Sequence, residues 1–161
     1  MPLPAPHVPI QAALGLFLAF FVGALGEELG WSGYAIDALQ ERSSALQAAV
    51  VLGLAWTAWH GIPLVQAGRT PGWIAWWSLY TVAGRVVLTW LYNNTGKSVF
   101  AASLYHAVGN VSWQMFPNHG SHWDPRIVGL VLAGLAALVT VVWGPRTLTR
   151  FSDARPGSSA R

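Results

Sequence analysis

Five apolar segments separated by short polar turns run along this chain, at about residues 8–26, 45–65, 73–92, 98–116 and 127–143. Each is close to the roughly 20 residues that a transmembrane helix needs. The first is predicted to continue as helix as far as Glu41, since no proline precedes the polar turn at residues 42–44. The second is predicted to end near Pro63, and residues 93–96 are predicted to form a turn. The pattern therefore predicts an all-α, polytopic transmembrane helical bundle of about five spans.

The composition agrees with a membrane protein and excludes several other classes. Of the 161 residues, 53% are hydrophobic and only 9% are charged, which is too apolar for an ordinary soluble domain. The absence of cysteine excludes disulfides, thiolate nucleophiles and cysteine-based metal sites. We therefore expect a single domain at residues 1–145, with membrane lipid as its surroundings.

Positive charge is concentrated at the carboxyl end of the chain. The net charge is +3, and four of the nine cationic residues lie in the last sixteen positions: Arg146, Arg150, Arg155 and Arg161. This clustering follows the positive-inside rule and differs from the basic groove of a nucleic-acid-binding protein. We therefore predict no nucleic-acid partner and a cytoplasmic tail at residues 146–161, and the serine, proline and glycine content of this tail favours disorder. The expected location of the chain is a bacterial cell membrane.

Two adjacent carboxylates, Glu27 and Glu28, directly follow the first apolar segment. An ionisable group at membrane depth is costly, so it is usually kept where it faces a polar cavity, a partner or a substrate. The alternative is that the pair marks the end of a span, where carboxylates meet water. Polar residues inside the other predicted spans favour the first explanation.

Four polar residues from three predicted spans reach similar depths. Counted from the turn at residues 43–44 at about 1.5 Å per residue, Glu27 and His60 each lie roughly 24 Å from the same membrane face. Counted from the turn near Thr95, His106 lies roughly 16 Å deep and Asn110 roughly 22 Å deep, on one face of their helix. A single histidine inside a membrane span is more often a hydrogen-bonded packing residue than a catalytic one. The similar depth of these four residues instead favours a shared polar site.

These residue types can support hydrolysis without a serine or cysteine nucleophile. A carboxylate can act as general base on a water molecule, and a neighbouring histidine can help to hold that water. A histidine and an asparagine amide can donate hydrogen bonds to the oxyanion of a tetrahedral intermediate. The sequence therefore points to a hydrolytic site inside the bundle.

Three motifs resemble those of the CAAX protease and bacteriocin-processing family, also called the Abi family, which are written EExxxR, FxxxH and HxxxN. The first begins at Glu27-Glu28, the second runs from Trp56 to His60, and the third runs from His106 to Asn110. Their order, and the spans that carry them, match the family from about residue 20 to residue 115. The resemblance implies the all-helical core of an intramembrane endopeptidase.

The resemblance also implies a role for each motif residue. Glu27 and His60 would activate the attacking water, whereas His106 and Asn110 would form the oxyanion site. The implied substrate is a peptide, or a prenylated protein that is cleaved near its carboxyl terminus. The alternative is a catalytically inactive member that acts as a bacteriocin-immunity or peptide-binding membrane protein.

No cofactor is expected from this resemblance. Some family members are labelled metalloproteases, and Glu27, His60 and His106 would be the ligands if this chain used a divalent ion such as zinc. The absence of HExxH and the family comparison favour a glutamate-and-water mechanism without an obligate metal. A second group, two histidines and one aspartate in residues 118–124, is interpreted as an interfacial loop and not as a metal site.

Two positions depart from the family motifs. Ser32 stands where the first motif has arginine, and Trp56 stands where the second has phenylalanine. Glu28 therefore lacks the cation that the motif would supply. We hypothesise that Arg85, from the third span, pairs with Glu28, since their depths differ by only about 8 Å by rise per residue. Snorkelling of Arg85, or its pairing with a backbone carbonyl, is the alternative.

Overall fold

The described part of the chain is built from six α-helices and one π-helical turn. The computed structural model describes residues 8–116 and 123–149. The elements are α1 (Ile10–Gly30), the π turn (Trp31–Ala35), α2 (Ile36–Gln40), α3 (Ala45–Gln66), α4 (Pro71–Asn94), α5 (Val99–Met115) and α6 (Pro125–Trp143). The first three follow one another without interruption and form one long segment, so five long helical segments result. The prediction of an all-α bundle is confirmed, and no strand is present among the described residues.

Short polar side chains determine where the helices begin. The backbone N–H of Gln47 donates to the Ser44 hydroxyl in a capping box at the start of α3. Thr70 and Ser98 accept equivalent bonds at the starts of α4 and α5. Asp124 caps α6, which has a proline in its first turn. The turns between the long helices are therefore encoded locally.

Two predicted segment ends are wrong by a few residues. α3 runs through Pro63 and ends at Gln66, because a proline this close to a helix end removes one hydrogen bond while the last turn still forms. Asn93 and Asn94, predicted as part of a turn, are the last residues of α4. The chain reverses just after them, where Gly96 has a φ of 67°, a conformation that glycine adopts without strain.

α4 is the central helix of the bundle, with α3 and α6 packed against it, whereas α1 packs mainly against α5. Both α4 interfaces depend on a glycine in the facing helix. A Cβ atom at Gly53 would lie 2.9 Å from the Val82 Cα, and one at Gly129 would lie 3.2 Å from the Trp76 carbonyl oxygen. These glycines let the helix backbones approach closely.

Three helical segments of the described chain are long and apolar enough to cross a membrane: Ile10–Gln40, Ala45–Gln66 and Pro125–Trp143. α4 and α5, which carry Arg85, His106 and Asn110 of the predicted site, do not meet both conditions. α1 exposes a continuous apolar stripe that includes Leu14 and Val22, at 68% and 71% exposure. The number of long helices therefore equals the predicted number of spans, and three of them have the apolarity of a span.

The first residues of the predicted tail belong to the packed domain. The Arg146 carbonyl oxygen accepts a hydrogen bond from the backbone N–H of Ala45 at the start of α3, where a helix has no internal acceptor. Leu148 is fully buried in the core that α3, α4 and α6 share. The rest of the predicted disordered tail, residues 150–161, lies outside the described residues, and its disorder stays a prediction.

Candidate active site

A largely apolar cavity of about 690 Å³ lies among α3, α4, α5 and α6, with one wall residue from the end of α1. Four of its lining residues are those that the sequence placed at similar depth: Glu27, His60, His106 and Asn110. The structure thus brings the four side chains to one cavity from three separate helices. Their catalytic roles stay predictions.

Glu28, the second carboxylate of the pair, is fully buried and has three side-chain partners. Arg85 donates from Nη1 and Nη2 to the two carboxylate oxygens at 2.9 and 3.2 Å. The Ser32 hydroxyl donates to the same carboxylate, and His106 Nδ1 lies 3.1 Å from Oε1. The hypothesis that Arg85 pairs with Glu28 is confirmed. The bidentate pair and the added hydrogen bonds offset the cost of burying both charges.

The contact with Glu28 determines which nitrogen of His106 carries a proton. An ionised carboxylate can only accept hydrogen bonds, so His106 Nδ1 must be the donor. Because Nδ1 is engaged by Glu28, Nε2 is the ring nitrogen that remains available to a molecule in the cavity that His106 lines. Nε2 can donate a hydrogen bond only when both ring nitrogens carry protons.

His60 is held by a neutral acceptor instead. Its Nδ1 lies 3.0 Å from the carbonyl oxygen of Trp56, one helical turn earlier, so Nδ1 carries the proton. The imidazole stacks on the Trp56 indole, with ring centroids 5.6 Å apart and 6° between the planes, and it also contacts Trp77. In the neutral ring, Nε2 of His60 is therefore free of hydrogen and can accept a proton or a hydrogen bond.

The Trp56 indole connects the two histidines. Its ring meets the His106 ring in an edge-to-face arrangement with centroids 4.9 Å apart. The Arg85 guanidinium lies 4.2 Å from the centre of the same indole. A desolvated cation–π contact of this kind contributes about 2 kcal/mol. Arg85 therefore contacts both the carboxylate that binds His106 and the aromatic ring on which His60 stacks.

The alternative metal-ligand set is not assembled in the described structure. Within residues 8–116 and 123–149, no three histidine, aspartate or glutamate side chains are grouped so that they could hold a metal ion. Glu27, His60 and His106 share the cavity without forming such a group. Of the loop at residues 118–124, the two histidines lie outside the described residues, and Asp124 caps α6.

Some residues of the site were not assigned to it from the sequence. Trp77 and Tyr80 line the cavity, but the aromatic-rich run that contains them is equally typical of a membrane-interface belt. Tyr105 also lines the cavity, and nothing in its local sequence indicates this. In the sequence, Ser32 is visible only as a departure from the first motif. Its spacing of four residues from Glu28 was the available signal, because residues so spaced are neighbours on a helix.

Comparison with known proteins adds two findings. A family model described as Type II CAAX prenyl endopeptidase Rce1-like matches residues 9–112, a range that contains all three motifs. A curated relative, CAAX prenyl protease 2 of Methanococcus maripaludis, is 30% identical over 109 residues. The aligned part is 62% of this chain, which spans only 40% of the length of that relative.

Proposed function

Because this chain belongs to the Type II CAAX prenyl endopeptidase Rce1-like family, we propose that it is an endopeptidase that cleaves a peptide bond inside the membrane. It is an integral membrane protein, with three helices apolar enough to cross a bilayer. One observation carries the proposal: Glu27, His60, His106 and Asn110 all line a single cavity. The carboxylate can act as base, one histidine can accept a hydrogen bond from the attacking water, and the other histidine and the asparagine amide can donate to the oxyanion.

The proposed reaction uses water as the nucleophile. Glu27 removes a proton from a water that also donates to Nε2 of His60, and the water oxygen attacks the carbonyl carbon of the substrate. His106, protonated on Nε2, and the Asn110 amide donate to the oxyanion that forms. The carbon–nitrogen bond then breaks as the proton held by Glu27 passes to the departing amine. No residue is consumed, and no metal is required.

The proposed substrate is a peptide or a prenylated protein that is cleaved near its carboxyl terminus. The relative from Methanococcus maripaludis is named a CAAX prenyl protease. The cavity supports this substrate class because it combines hydrolytic groups with a largely apolar lining that can hold a lipidated or apolar chain.

The test is cleavage of a prenylated reporter peptide with a CAAX end by purified protein in detergent, comparing wild type with Glu27→Gln. We expect the variant to lose activity by about 10²–10⁴-fold, because an amide cannot act as a base. Glu41→Gln is the matched control, because Glu41 is an exposed glutamate that is not among the residues lining the cavity. Equal rates for wild type and Glu27→Gln would refute the mechanism.

A wild type that binds the peptide without cleaving it would indicate the inactive, binding form of the family. Chelator treatment should leave the rate unchanged, and a loss would assign a metal.

We also propose that the basic tail lies in the cytoplasm, as the positive-inside rule predicts. The chain has no cysteine, so single introduced cysteines can report orientation without background. In intact cells, Ala67→Cys, in the turn after α3, should react with a membrane-impermeant thiol reagent, and Ser158→Cys should react only after lysis. The reverse labelling pattern would refute the orientation.

A further inference from the structure

We propose that Arg85 is a positioning residue that holds both histidines of the site, and that it replaces the arginine for which Ser32 is substituted in the first motif. The inference rests on the proposed function for its catalytic readout. Its structural content, however, concerns only how the two imidazoles are fixed. Arg85 is outside all three motifs and comes from α4, which carries none of them.

One branch of contacts runs from Arg85 to His106 through Glu28. The guanidinium binds both carboxylate oxygens, and this fixes the plane of the carboxylate. Oε1 is then directed at His106 Nδ1, 3.1 Å away. Without the guanidinium, the fully buried carboxylate would keep only the Ser32 hydroxyl and the imidazole as partners. Arg85 thereby determines how the His106 ring is oriented and which of its nitrogens faces the cavity.

The second branch runs from Arg85 to His60 through Trp56. The guanidinium lies over the Trp56 indole, and His60 stacks on the same side chain. The Trp56 carbonyl oxygen also binds His60 Nδ1, so the indole and the backbone of one residue both orient the imidazole. Arg85 itself is only 5% exposed. A single buried cation is thus in contact with the supports of both histidines.

Ser32 explains how the cation can come from another helix. Its hydroxyl donates to the Glu28 carboxylate, and Ser32 is itself 1% exposed, so an arginine at this position would start directly beside that carboxylate. A longer side chain there would compete with Arg85 for a fully buried space. One guanidinium therefore binds this carboxylate. It comes from Arg85 of α4, whereas the family motif would place an arginine at the position of Ser32.

The test compares Arg85→Ala, Arg85→Lys and the relocated variant Arg85→Ala/Ser32→Arg, with Arg126→Ala as the control. Arg126 is an exposed arginine that pairs with Asp124 on the surface. Two readouts are used on detergent-purified protein: kcat and KM for the reporter peptide, and ¹⁵N NMR of labelled histidine, which reports the protonated nitrogen of each ring. The NMR readout does not require the protein to be active.

We expect Arg85→Ala to lower kcat by about 10²-fold with a smaller change in KM, because displaced catalytic groups affect the reaction more than binding. Arg85→Lys should be intermediate, since lysine keeps the charge and loses the bidentate geometry. The relocated variant should recover a large part of the lost kcat. In the NMR spectra, the ring-nitrogen signals of His106 in Arg85→Ala should differ from the signals that wild type and Arg126→Ala share, because the guanidinium no longer fixes the plane of the carboxylate that binds Nδ1.

The outcomes separate this inference from the proposed function. Histidine spectra and kcat in Arg85→Ala equal to those of Arg126→Ala would overturn the inference. Changed spectra in a protein whose wild type cleaves no reporter would support the positioning role and refute the peptidase. Should Arg85→Ala fail to fold, Arg85→Lys and the relocated variant carry the test. Wild-type spectra in Arg85→Lys, together with no recovery on relocation, would then overturn the inference.

Discussion

The surroundings of His60 and His106 differ although both imidazoles line the same cavity. His60 donates from Nδ1 to a backbone carbonyl, which carries no net charge, and stacks on an indole. His106 donates from Nδ1 to a buried carboxylate that is itself paired with Arg85. The first environment leaves Nε2 of His60 as a hydrogen-bond acceptor, and the second fixes the His106 ring through an anionic partner of its Nδ1. The two proposed roles therefore differ because the Nδ1 atoms have different partners, although both residues are histidines.

Glutamine substitutions break this comparison most directly. In the proposed reaction, Nε2 of His60 accepts a hydrogen bond from the attacking water, and a glutamine side chain offers only an amide oxygen, which is far less basic than an imidazole nitrogen and activates the water less. We therefore expect His60→Gln to lower kcat by about 10²–10⁴-fold. His106→Gln should retain clearly more activity, because its amide still supplies an oxyanion donor. The measurement is kcat for the reporter peptide, and a greater loss in His106→Gln than in His60→Gln would reverse the assigned roles.

Removal of Glu28 tests the buried charges around His106. Glu28→Leu leaves the Arg85 guanidinium buried without its counter-charge, so the free energy of unfolding should fall by about 3–5 kcal/mol. Glu41→Leu, at an exposed position, should change it little. Thermal unfolding in detergent would give the comparison. Equal stability of the two variants would show that the pair with Arg85 contributes nothing net.

Asn110 provides the second donor proposed on the His106 side. Asn110→Ala should lower kcat by about 10²–10³-fold, as removal of an oxyanion-hole donor does elsewhere, with KM much less affected. Gln114→Ala is the control, because Gln114 is exposed one turn later on α5. A change confined to KM would assign Asn110 to substrate binding.

The smallest effect is expected for Trp56→Phe, which installs the residue of the family motif. The backbone carbonyl that binds His60 remains, and a phenylalanine ring still accepts a cation–π contact, although a weaker one. We expect less than about a tenfold change in kcat, since the loss corresponds to about 1 kcal/mol. Trp59→Phe, with Trp59 at 73% exposure on the same helix, is the control. A loss above a hundredfold would give the indole a role that its ring contacts do not explain.

Local patterns in the sequence predict much of the fold and several residues of the site. The apolar segments predicted the long helices, and three short motifs predicted the family, which the match over residues 9–112 confirms. Counting residues from the turns placed Glu27 and His60 at one depth, and both line the cavity. The Glu28–Arg85 pair was inferred because two buried opposite charges each need a partner. These features follow from periodicity, spacing and charge, which a sequence displays directly.

Other features depend on contacts between distant residues and left no local signal. The π turn at Trp31–Ala35 begins three residues after Glu28, and nothing in its composition distinguishes it from α-helix. Trp56 proved to contact Arg85 as well as His60, an arrangement set by how α3 and α4 cross. Leu148 is buried because it packs into the core that α3, α4 and α6 share. Its neighbours in the sequence include Arg146 and Arg150, so the local composition indicated an exposed basic tail.

The most direct test of the central claim is the kcat of the double variant Glu27→Gln/His60→Gln, measured beside the two single variants on one reporter peptide. If both side chains act on the same water, removing the second should cost little once the first is gone, because groups that act as a unit are not additive. We expect the kcat of the double variant to lie within about threefold of that of the slower single variant, a margin close to the usual error of additivity. A double variant whose loss equals the product of the two single losses would contradict it.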